Sequence, residues 1–355
     1  MEGASSVADA FNISTASFTD SFSVAGQDTT PQGLAFNTDG TKMFVVGSSS
    51  DYISEYALTT GFDVSTSSYT QNFSVASQEV SPNGLAFNPT GTKMFVVGNT
   101  GDDVNEYALT TGFDVSTASF TDAFSVAGQD TYPTGLAFST DGTKMFVVSD
   151  AGNDVNEYAL STGFDVSTAS YSQNFSVSSQ EATPQGIAFN PDGTEMFVIG
   201  YASGNVNEYS LTTGFDVSTA SYTQAFSVAS QETYPQGLAF NTEGSKMFVV
   251  GTTGDDVNEY SVGSTAFTNK MDKTQLDAVT DANHIVLGND LDLAIVFNLS
   301  SGTTVPSSDG VAINYDANVL NQLAIAGTDY DADFPATDKV RITALSGANL
   351  KVRVV

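Results

Sequence analysis

A segment of 51 residues repeats along this chain and constrains its fold more than any other feature. A second segment, TTGFDVSTSSYTQNFSVASQE and its close variants, fills the interval between copies of the first, so the repeat has no gaps. Self-similarity at a period of about 50 residues is typical of solenoids, propellers and other repeat arrays. The five copies begin at Pro31, Pro82, Pro133, Pro184 and Pro235.

Each repeat contains four segments with the composition of β-strands. GLAF and KMFVV flank a short loop such as NTDGT, in which Gly40 and its counterparts supply the positive φ of a tight turn. DVNEYAL and SYTQNFSV follow, and both are rich in β-branched and aromatic residues. Four strands per repeat predict one propeller blade per repeat.

The strand order predicts how the ring closes. The chain enters with a lone fourth strand, at 16–24, and leaves the last repeat at Tyr260 without one. We predict that the N-terminal strand completes the fifth blade, because this pairing removes two exposed sheet edges. The result is an all-β chain with a closed five-bladed β-propeller. An open β-solenoid is the alternative, which the long repeats and hairpin turns disfavour.

The repeat divides the chain into three predicted regions: an N-terminal arm at 1–11, the propeller at 12–262 and a C-terminal β domain at 263–355. In the last region LDLAIVFNLS, GVAINYD, KVRITAL and LKVRVV predict strands of a small β-sandwich-like domain. Its basic terminal hairpin suits docking on an acidic neighbour, including another copy of the chain, so we predict a homo-oligomer. Six of the ten basic residues lie in this region: Lys270, Lys273, Lys339, Arg341, Lys351 and Arg353.

The charge of the chain excludes several classes of partner. The formal net charge is −31, from 10 basic and 41 acidic residues. Nucleic acid requires a basic patch to neutralise its phosphates, so we predict no nucleic-acid binding. The same acidity disfavours an anionic membrane surface, and the longest apolar run, at 291–299, is about half of a membrane span, so no membrane insertion is predicted.

Cysteine usage and the N-terminal sequence bear on the compartment. The chain has no cysteine, which removes disulfides, zinc–thiolate sites and thiol nucleophiles together. The first residues, MEGASSVADAF, have neither a basic stretch nor a long apolar stretch of a secretion signal. We therefore expect an extracellular or virion-surface location that is reached without a signal peptide, by release on lysis.

The loops that differ most between repeats share one end of the predicted propeller. They join the fourth strand to the next first strand (GQDTT, SQEVS, GQDTY, SQEAT, SQETY) and the second strand to the third. Aromatic residues on acidic, small-residue loops suit sugar or protein recognition. Simple tolerance of surface variation is an equally open interpretation. The candidate ligand-binding residues are Asp51, Tyr52, Asp102, Asp103, Tyr132, Asp150, Asn153, Asp154, Tyr201, Asn205, Tyr234, Asp255 and Asp256.

Acidic residues of these loops allow two further interpretations. Calcium prefers carboxylate and carbonyl oxygens, which the clustered loop aspartates offer. The chain has no D-x-D-x-D-G loop, so solvated acids are preferred, no cofactor is predicted, and calcium stays an alternative. One acid also recurs ahead of each Pro-x-Gly turn, where we expect it to accept backbone hydrogen bonds in preference to binding a ligand. These five are Asp28, Glu79, Asp130, Glu181 and Glu232.

Other recurring residues have predicted structural roles. Phe36, Phe44 and Tyr56 recur at strand positions that should pack between blades, and Gly33 is small where the inner strand approaches the axis. A second prediction concerns register: Lys93 should lie directly opposite Glu106, and Phe95 opposite Val104, with the ion pair exposed. The fourth repeat replaces the lysine by Glu195, which would then face Glu208 unfavourably.

Two family resemblances follow from these residues. PQGLAFNTDGTKMFVVG is similar to the strand pair of lactonase-like and YVTN-type propellers, a resemblance that implies the fold more than the function. The C-terminal stretch from NDLDLAIVFNLS to LKVRVV resembles terminal modules of structural proteins of marine bacteriophages, including tail-fibre-like proteins. It implies a virion component, with other virion proteins as partners.

These observations leave more than one function open. The favoured hypothesis is a virion surface protein, a fibre, spike or decoration, that recognises a host glycan or receptor. A purely structural decoration protein is one alternative, and a lactonase-like or glycan-cleaving enzyme is another. The propeller sequence has no histidine and no arginine, the only histidine being His284, so we predict no enzyme activity. Paired loop carboxylates keep glycoside hydrolysis open.

Overall fold

The computed structural model describes residues 10–263, together with the backbone of four short strands beyond them. Within residues 10–263 the chain forms twenty β-strands and five single-turn 3₁₀-helices. Asp9–Gly263 is one compact unit. None of the helices in the described part of the chain has the length and apolar character needed to cross a bilayer.

The twenty strands form five four-stranded antiparallel sheets, the blades I to V. Blade I contains β2 (Pro31–Phe36), β3 (Lys42–Gly47), β4 (Tyr52–Leu58) and β5 (Ser67–Ser74). Blade II contains β6 (Pro82–Phe87), β7 (Lys93–Gly98), β8 (Asp103–Leu109) and β9 (Ala118–Ser125). Blade III contains β10 (Pro133–Phe138), β11 (Lys144–Ser149), β12 (Asp154–Leu160) and β13 (Ala169–Ser176). Blade IV contains β14 (Pro184–Phe189), β15 (Glu195–Gly200), β16 (Asn205–Leu211) and β17 (Ala220–Ser227).

Blade V is assembled from both ends of the propeller, as predicted. It contains β18 (Pro235–Phe240), β19 (Lys246–Gly251), β20 (Asp256–Ser261) and, as its outer strand, β1 (Ser17–Ser23). β1 pairs antiparallel with β20, with Ser17 opposite Ser261 and their hydroxyl oxygens 2.8 Å apart. The closed five-bladed β-propeller is therefore confirmed, and β1 covers the edge that β20 would otherwise expose.

Large aromatic side chains fill the spaces between blades, also as predicted. Phe44 and Tyr56 are fully buried, and the Phe44 ring of blade I lies 4.6 Å from the Phe87 ring of blade II, centroid to centroid. The same pair recurs at the other blade interfaces, giving five separate apolar clusters. At the axis a Cβ on Gly33 would lie 2.7 Å from the carbonyl oxygen of Asn83, so the inner strands approach too closely for a side chain.

The predicted register of the central hairpins is wrong by two residues. Lys93 lies opposite Ala108, and Phe95 lies opposite Glu106. The hairpin is centred between Thr100 and Gly101, one position later than predicted. A shift of two residues keeps every side chain on its face of the sheet. Lys93 therefore still reaches Glu106, diagonally and not directly.

The third-to-fourth strand loops lie at the uniform face, the end of the propeller where the loops are nearly identical, and each contacts a neighbouring blade, as when Val115 of blade II donates its N–H to Glu55 Oε2 of blade I. In each loop a phenylalanine with positive φ, such as Phe62, packs against the turn glycine of its own blade. An aspartate then caps a 3₁₀-helix; Asp63 accepts a hydrogen bond from the N–H of Ser65 at 3.2 Å. The 3₁₀-helices are Ile13–Thr15, Val64–Thr66, Val115–Thr117, Val166–Thr168 and Val217–Thr219.

In blade V the N-terminal residues replace this loop. Phe11, within the predicted arm, has φ +65° and donates its N–H to the carbonyl of Gly244 at 2.8 Å, as Phe62 does to Gly40. Asn12 caps the 3₁₀-helix where the other blades have aspartate. Phe11 is buried in the apolar cluster between blades IV and V, so the propeller's packing begins at this residue.

Beyond the propeller two short antiparallel pairs are described. β21 (Ile285–Val286) pairs with β22 (Ala294–Ile295), and β23 (Val311–Tyr315) pairs with β24 (Val340–Ala344). β22, β23 and β24 fall within segments predicted to be strands, whereas β21 was not predicted. The predicted terminal strand LKVRVV lies outside the described residues, and the sandwich-like architecture and docking role stay predictions.

Candidate functional site

The candidate site lies on the variable face, the end of the propeller that carries the two sets of variable loops. We define it by the second-to-third loops, at 48–51, 99–102, 150–153, 201–204 and 252–255, and by the inter-blade loops, at 24–30, 75–81, 126–132, 177–183 and 228–234. Antiparallel pairing within each blade brings these two sets to one end.

A buried carboxylate in each blade holds the two kinds of loop together. Glu79 is fully buried and accepts hydrogen bonds from the N–H groups of Ser81, Thr100 and Gly101, at 2.8, 3.2 and 3.4 Å. The preferred interpretation of these acids, as acceptors of backbone hydrogen bonds, is therefore correct. The sequence did not indicate that each acid also reaches the second-to-third loop. Asp28, Asp130, Glu181 and Glu232 make the equivalent bonds. We call these five residues the bracing acids.

The pKa values of two of these acids shift in opposite directions. Burial pushes the pKa of Asp28 upward, but hydrogen bonds from Ser49, Ser50 and Thr30 outweigh it, and the pKa lies below its ordinary value. For Asp130 burial prevails over the hydrogen bonds from Tyr132 and Gly152, and nearby Asp154 adds to it, so the pKa is raised. Of these two carboxylates, that of Asp130 is therefore the less stabilised in its charged form, and it lies two residues before Tyr132.

Four candidate residues end the second-to-third loops in the left-handed conformation: Asp51, Asp102, Asn153 and Asp255, with φ between 48° and 57°. Their backbone carbonyls accept the N–H of the residue that starts an inter-blade loop; Val126 donates to Asp102 at 2.8 Å. Asn and Asp tolerate this conformation better than most residues. These residues therefore shape the loops, and blade IV uses Gly204 for the same purpose.

The aspartates at this position also contribute charge to the face. One carboxylate oxygen of Asp51, Asp102 and Asp255 is buried without a hydrogen-bond partner among the described residues. Burial is the largest cause that raises the pKa of all three, and repulsion from the bracing acids raises it further. Since Asn153 and Gly204 are uncharged, this acidic arc covers blades V, I and II and is interrupted at blades III and IV.

Two candidate aspartates at the start of the third strand are less available to a ligand, because amide side chains already occupy their oxygens. Asp154 is buried and accepts hydrogen bonds from Asn156 Nδ2 and Asn174 Nδ2, at 2.9 and 2.6 Å. Asp256 accepts a hydrogen bond from Asn258 Nδ2 at 2.7 Å, and burial raises its pKa. Asp103, Asn205 and Tyr52 occupy the same strand position in the other blades, and the Tyr52 side chain is exposed.

Three tyrosines lie on loops of blades III to V, a stretch that contains the interruption of the acidic arc and overlaps it at blade V. Tyr132 and Tyr234 are 46% and 54% exposed. The ring of Tyr201 lies 5.9 Å from the ring of Tyr234, at an interplanar angle of 46°. Burial raises the pKa of Tyr201, and the proximity of Asp150 and Tyr132 raises it further. We call Tyr132, Tyr201 and Tyr234 the aromatic arc; it spans blades III to V.

The structure therefore separates the predicted set of site residues into two groups. It brings the tyrosines of three different blades together with Asp150, and it leaves Tyr52 in blade I, outside the aromatic arc. A tyrosine of one repeat can meet a tyrosine of the next only because the ring places their loops side by side. The sequence offered no signal for that neighbourhood beyond the presence of each tyrosine in one or two repeats.

The mouth of the axial channel was missed by the sequence analysis. It is lined by the residue that follows each first-strand proline: Gln32, Asn83, Thr134, Gln185 and Gln236. Asn83 Nδ2 donates to the carbonyl of Pro133, and Thr134 Oγ1 to that of Pro184, both at 2.9 Å. The signal was present, because this position varies among amide and hydroxyl residues while its neighbours are constant.

Metal coordination by the predicted aspartates receives no support from the geometry. Among residues 10–263 no group of three or more acidic or histidine side chains is placed to share one ion. Calcium binding by the loop aspartates stays the alternative to solvated acids.

Comparison with known proteins finds solved structures that match the chain at low similarity. No family model and no curated protein matches it. A presumed 6-phosphogluconolactonase of Bacteroides uniformis matches at 14% identity and a TM-score of 0.42, over 64% of this chain and 65% of that protein, just under two thirds of its length. A second presumed 6-phosphogluconolactonase, of Bacteroides fragilis, matches at 14% identity and 0.41, over 65% and 67%. A luciferin-regenerating enzyme matches at 13% identity and 0.43, over 70% and 96%.

Proposed function

We propose that the propeller is a recognition module that binds a carbohydrate through the aromatic arc. The exposed tyrosines on one side of the variable face are the observation that carries this proposal. Tyrosine rings stack on the apolar faces of sugars at low entropic cost. Their hydroxyls donate or accept hydrogen bonds, and the carboxylate of the neighbouring Asp150 accepts them. The bracing acids hold the loops in a fixed arrangement, which reduces the entropy that the loops lose when a ligand binds.

The charge of the face defines the class of ligand. The propeller sequence contains 28 acidic residues and four lysines. All four lysines are at the uniform-face end of the second strands, ion-paired with glutamates. No cation among the described residues therefore faces a ligand on the variable face. A sulfated or carboxylated polymer would be repelled, so the ligand is a neutral or amino sugar.

The biological setting we propose is the surface of a virion, where such a module would attach the particle to a host glycan or receptor. This part rests on the resemblance of the C-terminal stretch to phage structural proteins. The C-terminal domain would then dock on other virion proteins or associate with further copies of the chain. A purely structural role on the particle is the alternative, and it predicts no sugar binding at all.

Enzymatic function is less well supported by the geometry of the channel. Amide and hydroxyl side chains line its mouth, and a hydrolytic mechanism needs a general acid or base placed at the substrate. A glycan-cleaving reaction would have to use carboxylates of the variable-face loops, five of which accept backbone hydrogen bonds.

The experiment is a binding assay of the full chain against immobilised polysaccharides of three charge classes: neutral mannan, cationic chitosan and anionic heparin. The proposal predicts retention on mannan or chitosan at physiological salt, with no retention on heparin. Retention on chitosan that disappears in 0.5 M salt would indicate non-specific attraction to the acidic chain and would count against the proposal. Binding to none of the three, or to heparin alone, would also contradict it.

A further inference from the structure

The Asp150 carboxylate lies beside two tyrosines of the aromatic arc. The backbone N–H of Asp150 donates to the carbonyl oxygen of Tyr132 at 3.2 Å, which ties the two variable-face loops of blade III to each other. Tyr201 occupies in blade IV the position that Asp150 occupies in blade III, 51 residues earlier. Burial raises the pKa of the Tyr201 hydroxyl, and the nearby charge of Asp150 raises it further. One carboxylate therefore shares the arc with aromatic rings from two blades.

The Asp150 carboxylate has no partner of its own among the described residues. No N–H or hydroxyl group of residues 10–263 donates a hydrogen bond to it, and the four lysines of that range pair with glutamates at the uniform face. The side chain is half-buried, and burial raises its pKa, with repulsion from Asp130 and Glu181 raising it further. The carboxylate is therefore accessible to a ligand, and a positive charge would stabilise its ionised form.

The two bracing acids next to Asp150 are less accessible. Asp130 and Glu181 are 4% and 1% exposed. Each accepts backbone N–H groups from both variable-face loops of its blade. These two carboxylates therefore add negative charge to this part of the face, while Asp150 is the one that a ligand can contact.

The rings of the arc offer surfaces both to a sugar and to a cation. The centroids of Tyr201 and Tyr234 lie 5.9 Å apart at an interplanar angle of 46°, so the two rings form an open corner. A cation within about 6 Å of the centroid of an aromatic ring is attracted to the ring face. The same rings bury the apolar face of a sugar. A sugar that carries an ammonium group makes both interactions at once.

We propose that the aromatic arc selects amino sugars whose amine is free and protonated, and that Asp150 binds the ammonium group. The preferred ligand is thereby named within the class of neutral and amino sugars, an inference that rests on the proposed recognition of carbohydrate. A hydroxyl or an acetylated nitrogen can also donate a hydrogen bond to a carboxylate, but neither brings a positive charge. Hydrogen bonds between charged groups are shorter and stronger than those between neutral groups.

Two other kinds of cation fit the arc less well. A metal ion takes several oxygen ligands around one point, and no group of three or more acidic or histidine side chains within residues 10–263 is placed to share an ion. A lysine-rich peptide carries the same ammonium group as an amino sugar. Its side chains have no ring whose apolar face stacks on tyrosine, so it uses the carboxylate and only part of the aromatic surface.

The test is titration calorimetry of the full chain at physiological salt and mildly acidic pH, where the amines of chitosan are protonated. The three ligands are a chitosan hexamer, the fully N-acetylated hexamer and hexalysine. The two sugar hexamers share one backbone and differ in whether their nitrogens are charged, so their comparison isolates the ammonium group. Hexalysine carries ammonium groups without sugar rings.

Two variants accompany the wild type. Asp150→Asn removes the carboxylate and should fold, because Asn99 occupies the equivalent position of blade II. Asp122→Gln is the matched control, since it removes a carboxylate from the outer strand β9. It should fold as well, because glutamine occupies this position in blades I, III and IV, as Gln71, Gln173 and Gln224.

We expect the wild type to bind the chitosan hexamer about tenfold more tightly than the acetylated hexamer, the factor that one hydrogen bond to a charged group supplies. Asp150→Asn should bind the two sugar hexamers with equal affinity, and its affinity for the acetylated hexamer should match that of the wild type. Asp122→Gln should keep the wild-type preference. Hexalysine should bind all three proteins more weakly than the chitosan hexamer binds the wild type.

Equal affinity of the wild type for both sugar hexamers would overturn the role of the ammonium, and a preference that survives in Asp150→Asn would overturn the role of that residue. Hexalysine bound as tightly as the chitosan hexamer would assign the attraction to charge alone and would also overturn the proposal. A wild type that binds mannan or the acetylated hexamer without preferring the free amine would overturn the selectivity and leave the recognition of carbohydrate standing. Binding to no sugar would overturn both.

Discussion

Lys93 Nζ lies 2.7 Å from Glu106 Oε1 although the two residues are not cross-strand partners, since Lys93 lies opposite Ala108 and Glu106 lies opposite Phe95. The pair is diagonal, and its glutamate is only 6% exposed. The predicted exposed, directly opposed pair would contribute about 0 to 1 kcal/mol. The observed one also bonds to the next blade, through the carbonyl of Phe164 and the N–H of Val166.

Removing this lysine should therefore destabilise the protein more than loss of a surface ion pair would. Lys93→Met keeps the aliphatic length but leaves the Glu106 carboxylate buried beside an uncompensated carbonyl. We expect the free energy of unfolding to fall by about 1–3 kcal/mol, below the 3–5 kcal/mol of a fully buried pair because the lysine is partly exposed. Urea denaturation measures it. A loss under 0.5 kcal/mol would mean that the pair behaves as an exposed one.

The converse substitution in blade IV, where Glu195 stands at the position of the lysine of the other blades, should stabilise the chain. Glu195→Lys places an ammonium beside Glu208, so we expect the free energy of unfolding to rise by about 1.5–3 kcal/mol, the range for hydrogen bonds to charged groups. Glu195→Gln is the matched control, since it removes the repulsion without adding the bridge and should give less than half of the gain. A Glu195→Lys protein no more stable than Glu195→Gln would contradict the bridge.

The acid pair also predicts a pH dependence. Burial and the neighbouring Glu208 carboxylate raise the pKa of Glu195. Burial likewise raises the pKa of Glu208, against opposing hydrogen bonds from Gln224 and Ile13. A carboxyl group with a higher pKa in the folded state binds more protons there than in the unfolded state. Below its unfolded pKa near 4.5 it therefore costs no stability. As pH rises through the folded pKa, it lowers the free energy of unfolding progressively.

The stability of Glu195→Gln relative to the wild type should therefore grow as pH rises from about 4.5 to 7. Comparison of urea midpoints at several pH values isolates the effect, since all other titrating groups are common to both proteins. A difference that stays constant over this interval would show that Glu195 titrates normally.

Much of the fold could be predicted because the repeat is long and nearly perfect. The 51-residue period gave the blade, and the offset fourth strand gave the closure through β1 and β20. The register could not be obtained in this way, because a four-residue loop ending in left-handed Asp102 moves the hairpin centre by one position. Phe11 lies 51 residues before Phe62, so the repeat extends to it although the predicted arm at 1–11 includes it. Its contact with Gly244, which belongs to a different repeat, could not be read from the sequence.

The residue types of the candidate site could be predicted from the sequence, but which of its residues lie next to one another could not. Variation between repeats identified Tyr132, Tyr201 and Tyr234 one at a time, and their proximity depends on the order of blades around the ring. The roles of Asp51, Asp102 and Asp255 in loop conformation were not visible either, since a sequence pattern does not show the sign of φ.

Closure by β1 can be tested by truncation. Deleting residues 1–26 removes β1 together with Phe11 and the 3₁₀-helix Ile13–Thr15, which exposes the edge of β20 and opens the cluster between blades IV and V. We expect aggregation or loss of cooperative melting, because the exposed edge can pair with other chains. Cooperative melting at the wild-type temperature would contradict the observed pairing of β1.

Recognition by the aromatic arc is the central claim, and paired tyrosine substitutions test it most directly. The double variant Tyr132→Ala, Tyr234→Ala should lower affinity for the polysaccharide that retains the wild type by about 100-fold, if each ring contributes about 1–2 kcal/mol. The control is Tyr171→Ala, Tyr222→Ala, which removes two tyrosines of similar exposure, 43% and 46%, from the outer strands β13 and β17. Both proteins should keep the bracing acids and melt within a few degrees of the wild type. The account predicts lost binding in the first protein and unchanged binding in the second; equal affinities, or loss in the second alone, would place recognition elsewhere on the chain.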